Sequence, residues 1–338
     1  MPVCGSQVLL CDLPIRFDTY RGCTHQCKYC FASKKNFNME MENVKIQETH
    51  KRLINFIKGK RDGTTKWCDW NIPLHWGGMS DPFQPAEKNF KESYKCLEVF
   101  VKTQYPFVVS TKGRLIAADE YLNLIKQCNC VVQISLVCPE FDIIEQGAPK
   151  FAERLEIVKK ISPHKRVNIR IQPYMIEYHD SIMNSLDKFA EAGVYGVIVE
   201  GMKFVKFKKG LVRVGTESVY PIGALKPKVL QIKEKAHKLG MKFYSGENRL
   251  RRVGDDLCCC GIDGLEGFKG NSFNINHIIN GGEFKITPAM EKATAITFKS
   301  NYQIAGLKLQ NITFKDFMIN NYKNKEDYFK GILTDKKK

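Results

Sequence analysis

The chain alternates two kinds of hydrophobic pattern. Short runs rich in β-branched and aromatic residues, at Arg16–Tyr20, Ile72–Trp76, Phe107–Ser110, Val131–Leu136, Val167–Gln172, Gly196–Glu200 and Lys242–Tyr244, read as strands. Between them, apolar residues recur on one helical face over 45–59, 87–103, 118–127, 149–162, 180–192 and 226–239. Pro149 falls at the first turn of one predicted helix and Gly240 ends another, positions those residues favour. Strand followed by helix, six times over, predicts an α/β fold with a parallel sheet and right-handed crossovers. Six or seven such units build either a partial barrel or an open sheet, and periodicity does not choose between them. The pattern stops near residue 250. The expected organisation is an N-terminal extension over 1–15, a core over 16–250, and a C-terminal extension over 251–338 that carries a cysteine triplet and a basic tail.

Composition narrows the class. With 43% hydrophobic and 26% charged residues, the 338-residue chain matches a soluble globular protein with a substantial core. No apolar run is long enough to span a bilayer, and the opening residues do not read as a signal peptide, so a cytoplasmic location is expected. Thirteen cysteines are many for a reducing compartment, where clustered cysteines more often bind metal or do chemistry than form disulfides. The formal charge of +17 suits a polyanionic partner such as DNA or RNA, and equally suits a surface simply decorated with lysine.

The densest chemistry lies just after the first predicted strand. Tyr20-Arg-Gly-Cys23-Thr-His-Gln-Cys27-Lys-Tyr-Cys30-Phe-Ala32 holds a C-x3-C-x2-C spacing. Thiolates are soft ligands suited to iron, and short spacings on a loop let several sulfurs converge on one cluster. Three thiolates on a 4Fe-4S cluster leave one iron open to another ligand. Zinc is the competing occupant, with His25 as a fourth ligand, although no second CxxC pair follows at the usual distance.

At these residues the chain resembles the radical S-adenosylmethionine (SAM) superfamily, whose signature is this spacing with an aromatic before the last cysteine. The resemblance implies a partial (β/α)6 barrel of the TIM type with its site at the C-terminal ends of the strands. It makes Cys23, Cys27 and Cys30 the cluster ligands, and it implies an electron donor such as flavodoxin or ferredoxin. Tyr29 takes the place of the aromatic that packs near the SAM adenine, and Phe31 adds a second ring. Further stretches resemble the spore photoproduct lyase-like branch: Trp76-Gly-Gly-Met-Ser-Asp-Pro-Phe-Gln84, Ser110-Thr-Lys112, Gln133-Ile-Ser135, Gly147-Ala-Pro149…Glu153-Arg154 and Arg170-Ile-Gln-Pro173. By that resemblance Gly77, Gly78 and Met79 receive the SAM amino group. Ser80 and Asp81 offer polar groups to its ribose or methionine, Lys112 pairs with its carboxylate, and Ser135 and Arg170 point to the same barrel mouth. The branch's DNA-repair lyase carries a hydrogen-donating cysteine just ahead of its Ser/Asp stretch. Gly78 and Met79 stand there in this chain, which argues against photoproduct repair by that route.

A second group, Cys258-Cys259-Cys260, follows the last predicted strand and is expected to return to the mouth. Cys258 or Cys259 is a candidate hydrogen-atom donor. The alternatives are ligation of a second cluster, with Cys4 and Cys11 completing it, or simple packing. The expected activity is reductive cleavage of SAM to methionine and a 5′-deoxyadenosyl radical that acts on an unidentified substrate, with nucleic acid, peptide and small molecule all open. A non-catalytic nucleic-acid-binding protein stapled by zinc or an iron–sulfur site is the alternative from another class.

Overall fold

The computed structural model describes residues 2–4, 11–34, 45–46, 48–61, 65–66, 68, 72–204, 206–214, 217–268 and 274. The basic tail, and nearly all of the expected C-terminal extension beyond 268, lie outside the described residues.

Seven parallel strands form the sheet in chain order. They are β1 (Ile15–Phe17), β2 (Leu74–Trp76), β3 (Phe107–Thr111), β4 (Cys130–Ser135), β5 (Val167–Tyr174), β6 (Gly196–Gly201) and β7 (Lys242–Ser245). A short strand, Val3–Cys4, pairs antiparallel with β1, and the sheet is not closed. Each crossover carries a helix: α1 (Thr49–Ile57), α2 (Glu92–Thr103), α3 (Asp119–Gln127), α4 (Phe151–Ile161), α5 (His179–Glu191) and α6 (Ile222–Lys238). Sequential order with a helix at every step winds the sheet one way, as the partial barrel requires.

The two faces of the sheet differ. Phe107 and Val109 of β3, Val132 and Ile134 of β4, Ile169 and Ile171 of β5, and Val197 and Val199 of β6 turn to the helices and are buried in one apolar core. The residues between them, Ser110, Gln133, Arg170 and Glu200, face the other way. Trp76 anchors the core on β2. Its ring lies 5.7 Å from those of Phe17 and Phe107, and its indole N–H donates to Thr19 Oγ1 at 2.8 Å.

Four expected helix boundaries move. The helix expected over 87–103 is broken at Lys91, whose φ is 52°. The break turns the buried Glu87 carboxylate back over the start of α2, where it accepts the N–H groups of Ser93 and Tyr94 at 2.9 Å each. An anion there satisfies orphan donors and complements the helix dipole. Pro149 lies before α4 rather than within it, and Glu153 reaches back to accept the Lys150 N–H at 2.8 Å. α6 starts a turn before the expected 226, at Ile222, and runs through Pro227. Residues 45–46 are a short strand, so α1 begins only at Thr49.

Gly77 and Gly240 separate two uses of glycine. Gly240 closes α6 at φ +77°, with open space where a Cβ would stand. Gly77 has φ +87°, and a Cβ there would lie 2.3 Å from the Ser110 carbonyl oxygen. Gly240→Ala is expected to lose about 1–2 kcal/mol from backbone strain, whereas Gly77→Ala is expected to lose more, because it adds overpacking worth about 1–3 kcal/mol. Urea unfolding midpoints of the two variants check the order.

Candidate active site

The cysteine loop leaves the C-terminal end of β1 and is strapped down on both sides. On one side stands Gln84, fully buried. Its amide oxygen accepts the Thr24 N–H at 2.9 Å and the Thr24 hydroxyl at 3.2 Å. Its amide nitrogen donates to the carbonyls of Gly22 at 3.1 Å and Asp81 at 3.0 Å. On the other side Gly147 donates its N–H to the His25 carbonyl at 3.0 Å, His25 Nδ1 meets the Gly147 carbonyl at 2.9 Å, and Lys28 N–H donates to Ile144 at 2.9 Å. Gly147 has to be glycine, since a Cβ would stand 2.5 Å from the Thr24 carbonyl oxygen.

Between these straps Cys23, Cys27 and Cys30 are free thiols and each is half-buried. Burial, with Asp81 nearby, pushes the Cys23 thiol up to about 12. Burial also raises Cys27, against the pull of the Lys112 ammonium. Burial works against the charge of Lys112, just beyond β3, but the neighbouring Cys27 and Glu145 outweigh it and raise the ammonium above its ordinary value. Among the described residues no three His, Cys, Asp or Glu side chains are grouped to hold a single metal ion. Three free thiols on one short loop, with a cation beside them, suit the separate irons of a cluster in donor chemistry.

Glu145 organises the ground next to the thiols. Arg154, fully buried on α4, pairs with it at 2.5 Å, Lys112 approaches to 3.8 Å, and the Tyr29 hydroxyl donates to it. Burial alone would raise the Glu145 carboxyl, but Lys112, Arg154 and Tyr29 bring it below the usual carboxylate range. The Tyr29 ring packs 5.9 Å from Phe141, and Lys112 Nζ lies 5.7 Å from the Tyr29 ring centroid. Phe31 opens a one-turn helix and is 44% exposed.

The loop after β2 is fixed by two carboxylates. Asp18 Oδ1 accepts the N–H groups of Met79 at 2.8 Å and Ser80 at 3.0 Å. The Ser80 hydroxyl donates to the Tyr20 carbonyl at 2.7 Å. Asp81 Oδ1 accepts from the Phe83 N–H at 2.8 Å and the Thr111 hydroxyl at 2.6 Å, and Oδ2 accepts the Lys112 N–H at 2.6 Å. Burial opposes ionisation of Asp81, but His25 at 3.2 Å and these donors hold its carboxyl down to about 2. Ser80 and Asp81 thus already make internal hydrogen bonds, and Gly77 is shaped by Ser110. Gly78 lies against the Arg16 stem, a Cβ there being 3.2 Å from its Cδ.

Ser135 ends β4, and its carbonyl accepts from Arg154 at 2.7 Å. Arg170, halfway along β5, stands beside Ser135 in register. The cysteine triplet is not brought to this mouth. Cys258, Cys260 and Ile262 pack with Leu13, Val108 and Val131, near the N-terminal ends of β3 and β4, and Cys11 and Cys259 border the same cluster. The Cys260 carbonyl accepts from Gln133 at 3.0 Å and from Asn168 at 3.3 Å. The structure places the triplet at the floor, with the cysteine motif at the opposite edge of the sheet.

No family model matches the chain. An uncharacterised protein of Mycobacterium bovis and one of Mycobacterium tuberculosis are each 25% identical over 204 residues, which take in 56% of this chain and 59% of theirs. Among solved structures, spore photoproduct lyase complexed with dinucleoside spore photoproduct superposes with a TM-score of 0.56 and 13% identity, covering 69% of this chain and 76% of that one. The chain has the fold of spore photoproduct lyase. That lyase is also known with bound AdoMet. SuiB of Streptococcus suis shares the fold at a TM-score of 0.51 and 13% identity, over 86% of this chain and 58% of its own. Among the described residues no helix is long and apolar enough to cross a membrane.

The Gln84 strap predicts a measurable local effect. Gln84→Ala leaves the half-buried Thr24 N–H and the buried Gly22 carbonyl without the Gln84 amide, at a cost of about 1–3 kcal/mol for the buried carbonyl and less for the N–H. Alkylation of the motif cysteines in the cluster-free protein, followed by peptide mass spectrometry, is expected to speed up in Gln84→Ala while Cys96, buried on the inner side of α2, keeps its rate.

Proposed function

We propose that the chain is a radical SAM enzyme. What carries the reading is the set of free thiols Cys23, Cys27 and Cys30 on one strapped loop at the C-terminal edge of a parallel sheet, with Lys112 beside them. Cys23, Cys27 and Cys30 would hold a 4Fe-4S cluster, leaving one iron for the amino and carboxylate groups of SAM. When bound, the cluster supplies the electron that cleaves the sulfonium and so generates a 5′-deoxyadenosyl radical.

The protein's own part is positioning and shielding. Gln84 and Gly147 fix the loop, so the thiols meet the cofactor without reorganisation. Lys112 offers its ammonium to a carboxylate next to the cluster, held in place by Glu145. The Tyr29 ring, fastened to Glu145 and backed by Phe141, presents a flat apolar wall suited to an adenine. The backbone of Gly77, Gly78 and Met79, ordered by Asp18, offers polar groups after β2, and Ser135 faces the same opening. Cys258 and Cys259, at the floor, are assigned no part in SAM cleavage.

Two experiments test this reading. Anaerobically reconstituted protein is expected to absorb broadly near roughly 400 nm, as thiolate–iron charge transfer does, and to release 5′-deoxyadenosine with dithionite and SAM. Cys23→Ala, Cys27→Ala and Cys30→Ala are each expected to lose both signals, and a triple variant that keeps both would sink the assignment. The formal charge of +17 supports a nucleic-acid substrate. Filter binding to single- and double-stranded DNA and RNA is then expected to weaken steeply between two salt concentrations. No binding below about 100 μM at low salt, the weak end of nonspecific affinity, would turn the search to peptides and metabolites.

A further inference from the structure

The sheet face turned away from the helices carries a connected row of polar side chains. His75 Nε2 meets Ser110 Oγ at 2.9 Å, and Ser110 donates to Gln133 Oε1 at 2.8 Å. The Arg170 guanidinium donates to the same oxygen at 2.9 Å and also to Gln172. Gln172 Nε2 donates to Glu200 at 2.6 Å, and Glu200 pairs with Lys203 at 2.5 Å. Arg16 of β1 stands beside His75 in register. Arg16, His75, Arg170, Gln172 and Glu200 are only half-buried, so the row borders open space rather than packed core.

Charge along the row is uneven. Glu200 has Lys203, which also faces Glu217 at 3.7 Å. Arg170 bonds only to neutral amides, and Glu200 reaches it through Gln172. Arg16 makes no hydrogen bond or ion pair with any described residue, and Asp18, the carboxylate that feels it, is committed to the Met79 and Ser80 N–H groups. Two guanidinium groups therefore flank one imidazole with no carboxylate in contact with either. Burial, then Arg170, then Arg16 drive the His75 ring well below its ordinary pKa, so it stands neutral between two cations. Uncompensated guanidinium groups in a half-enclosed space are costly, and planar forks match oxyanions.

We propose that Arg16 and Arg170, with His75 between them, form a substrate subsite for an oxyanion, a phosphate or carboxylate carried by the molecule on which the enzyme acts. This rests on the radical SAM reading and names the substrate's anchoring chemistry. The subsite lies on the same inner face as Ser135, the register partner of Arg170; with the Lys112 ammonium given to the SAM carboxylate, the arginine pair is left for the substrate.

The test follows the arginines directly and needs no turnover. The full-length protein is treated with phenylglyoxal, and modification of Arg16 is followed by peptide mass spectrometry at constant ionic strength in chloride, inorganic phosphate or acetate. Phosphate or acetate is expected to slow Arg16 modification about tenfold at ten times its dissociation constant, while the exposed Arg114 keeps its rate. Protection by phosphate alone assigns a phosphate ester, and protection by acetate alone assigns a carboxylate. Arg170→Lys, which keeps the charge but loses the fork, is expected to lose most of the protection with an unchanged circular dichroism spectrum. Arg16 that is unprotected by either anion, or protected in full despite Arg170→Lys, overturns the proposal. So does protection by S-adenosylhomocysteine, which would give the pair to the cofactor. A protein that shows protection yet makes no 5′-deoxyadenosine would refute the radical reading and leave the anion subsite standing.

Discussion

The Gln84 side chain has no exposure to solvent, yet both ends of its amide are used, and the arrangement of the mouth follows from that. One oxygen takes two donors from Thr24, and one nitrogen reaches two carbonyls, on Gly22 and Asp81. A buried amide is tolerated only when its hydrogen-bonding capacity is met, so the loops after β1 and β2 have few ways to sit relative to each other. Asp81 is held by the same contacts, and through its carboxylate the start of the loop after β3, where Lys112 stands, is held as well. Three loops far apart in sequence become one rigid unit through two side chains.

The sheet was largely legible in advance, because its outer face alternates strictly with its inner one and its strands are rich in Val and Ile. The helices were legible where the apolar stripe is continuous. They were misplaced where a single side-chain contact decides the boundary, as when the Glu87 carboxylate caps the start of α2. The cysteine motif declares itself by spacing. Glu145, Gln84 and Asp18 do not, because Tyr29, Thr24 and Met79, to which they bond, lie 60 to 116 residues away and no local pattern reports such a pairing. The expected return of Cys258 and Cys259 to the mouth went astray for a related reason. Following the last strand does not fix which end of the sheet a segment returns to, and the carboxamides of Gln133 and Asn168 draw it to the floor.

The inner face explains how a parallel sheet tolerates so many polar groups. Parallel sheets usually cover both faces with apolar side chains. Here the outer face supplies the main core, the inner face carries only a small apolar cluster at its floor, and the other inner residues satisfy one another in a row from β2 to β6. Such a row is stable only while every member keeps its partner, so it behaves as one cooperative unit. It also leaves Arg16 and Arg170 without a carboxylate in direct contact, each felt by one only at a distance, Asp18 for Arg16 and Glu200 for Arg170.

The segment after β7 gives the sheet an asymmetry of traffic. Arg166 donates to the carbonyls of Gly261 at 3.1 Å and Asp263 at 2.8 Å, and Tyr244 donates to Asp263 at 2.6 Å, so residues 258–263 are stitched across the strand starts. Among the described residues that end is stoppered, so a molecule on the inner face finds its way in and its way out on the side where the thiols stand. Entry and exit then compete for one doorway, so whatever arrives first decides when anything behind it can leave.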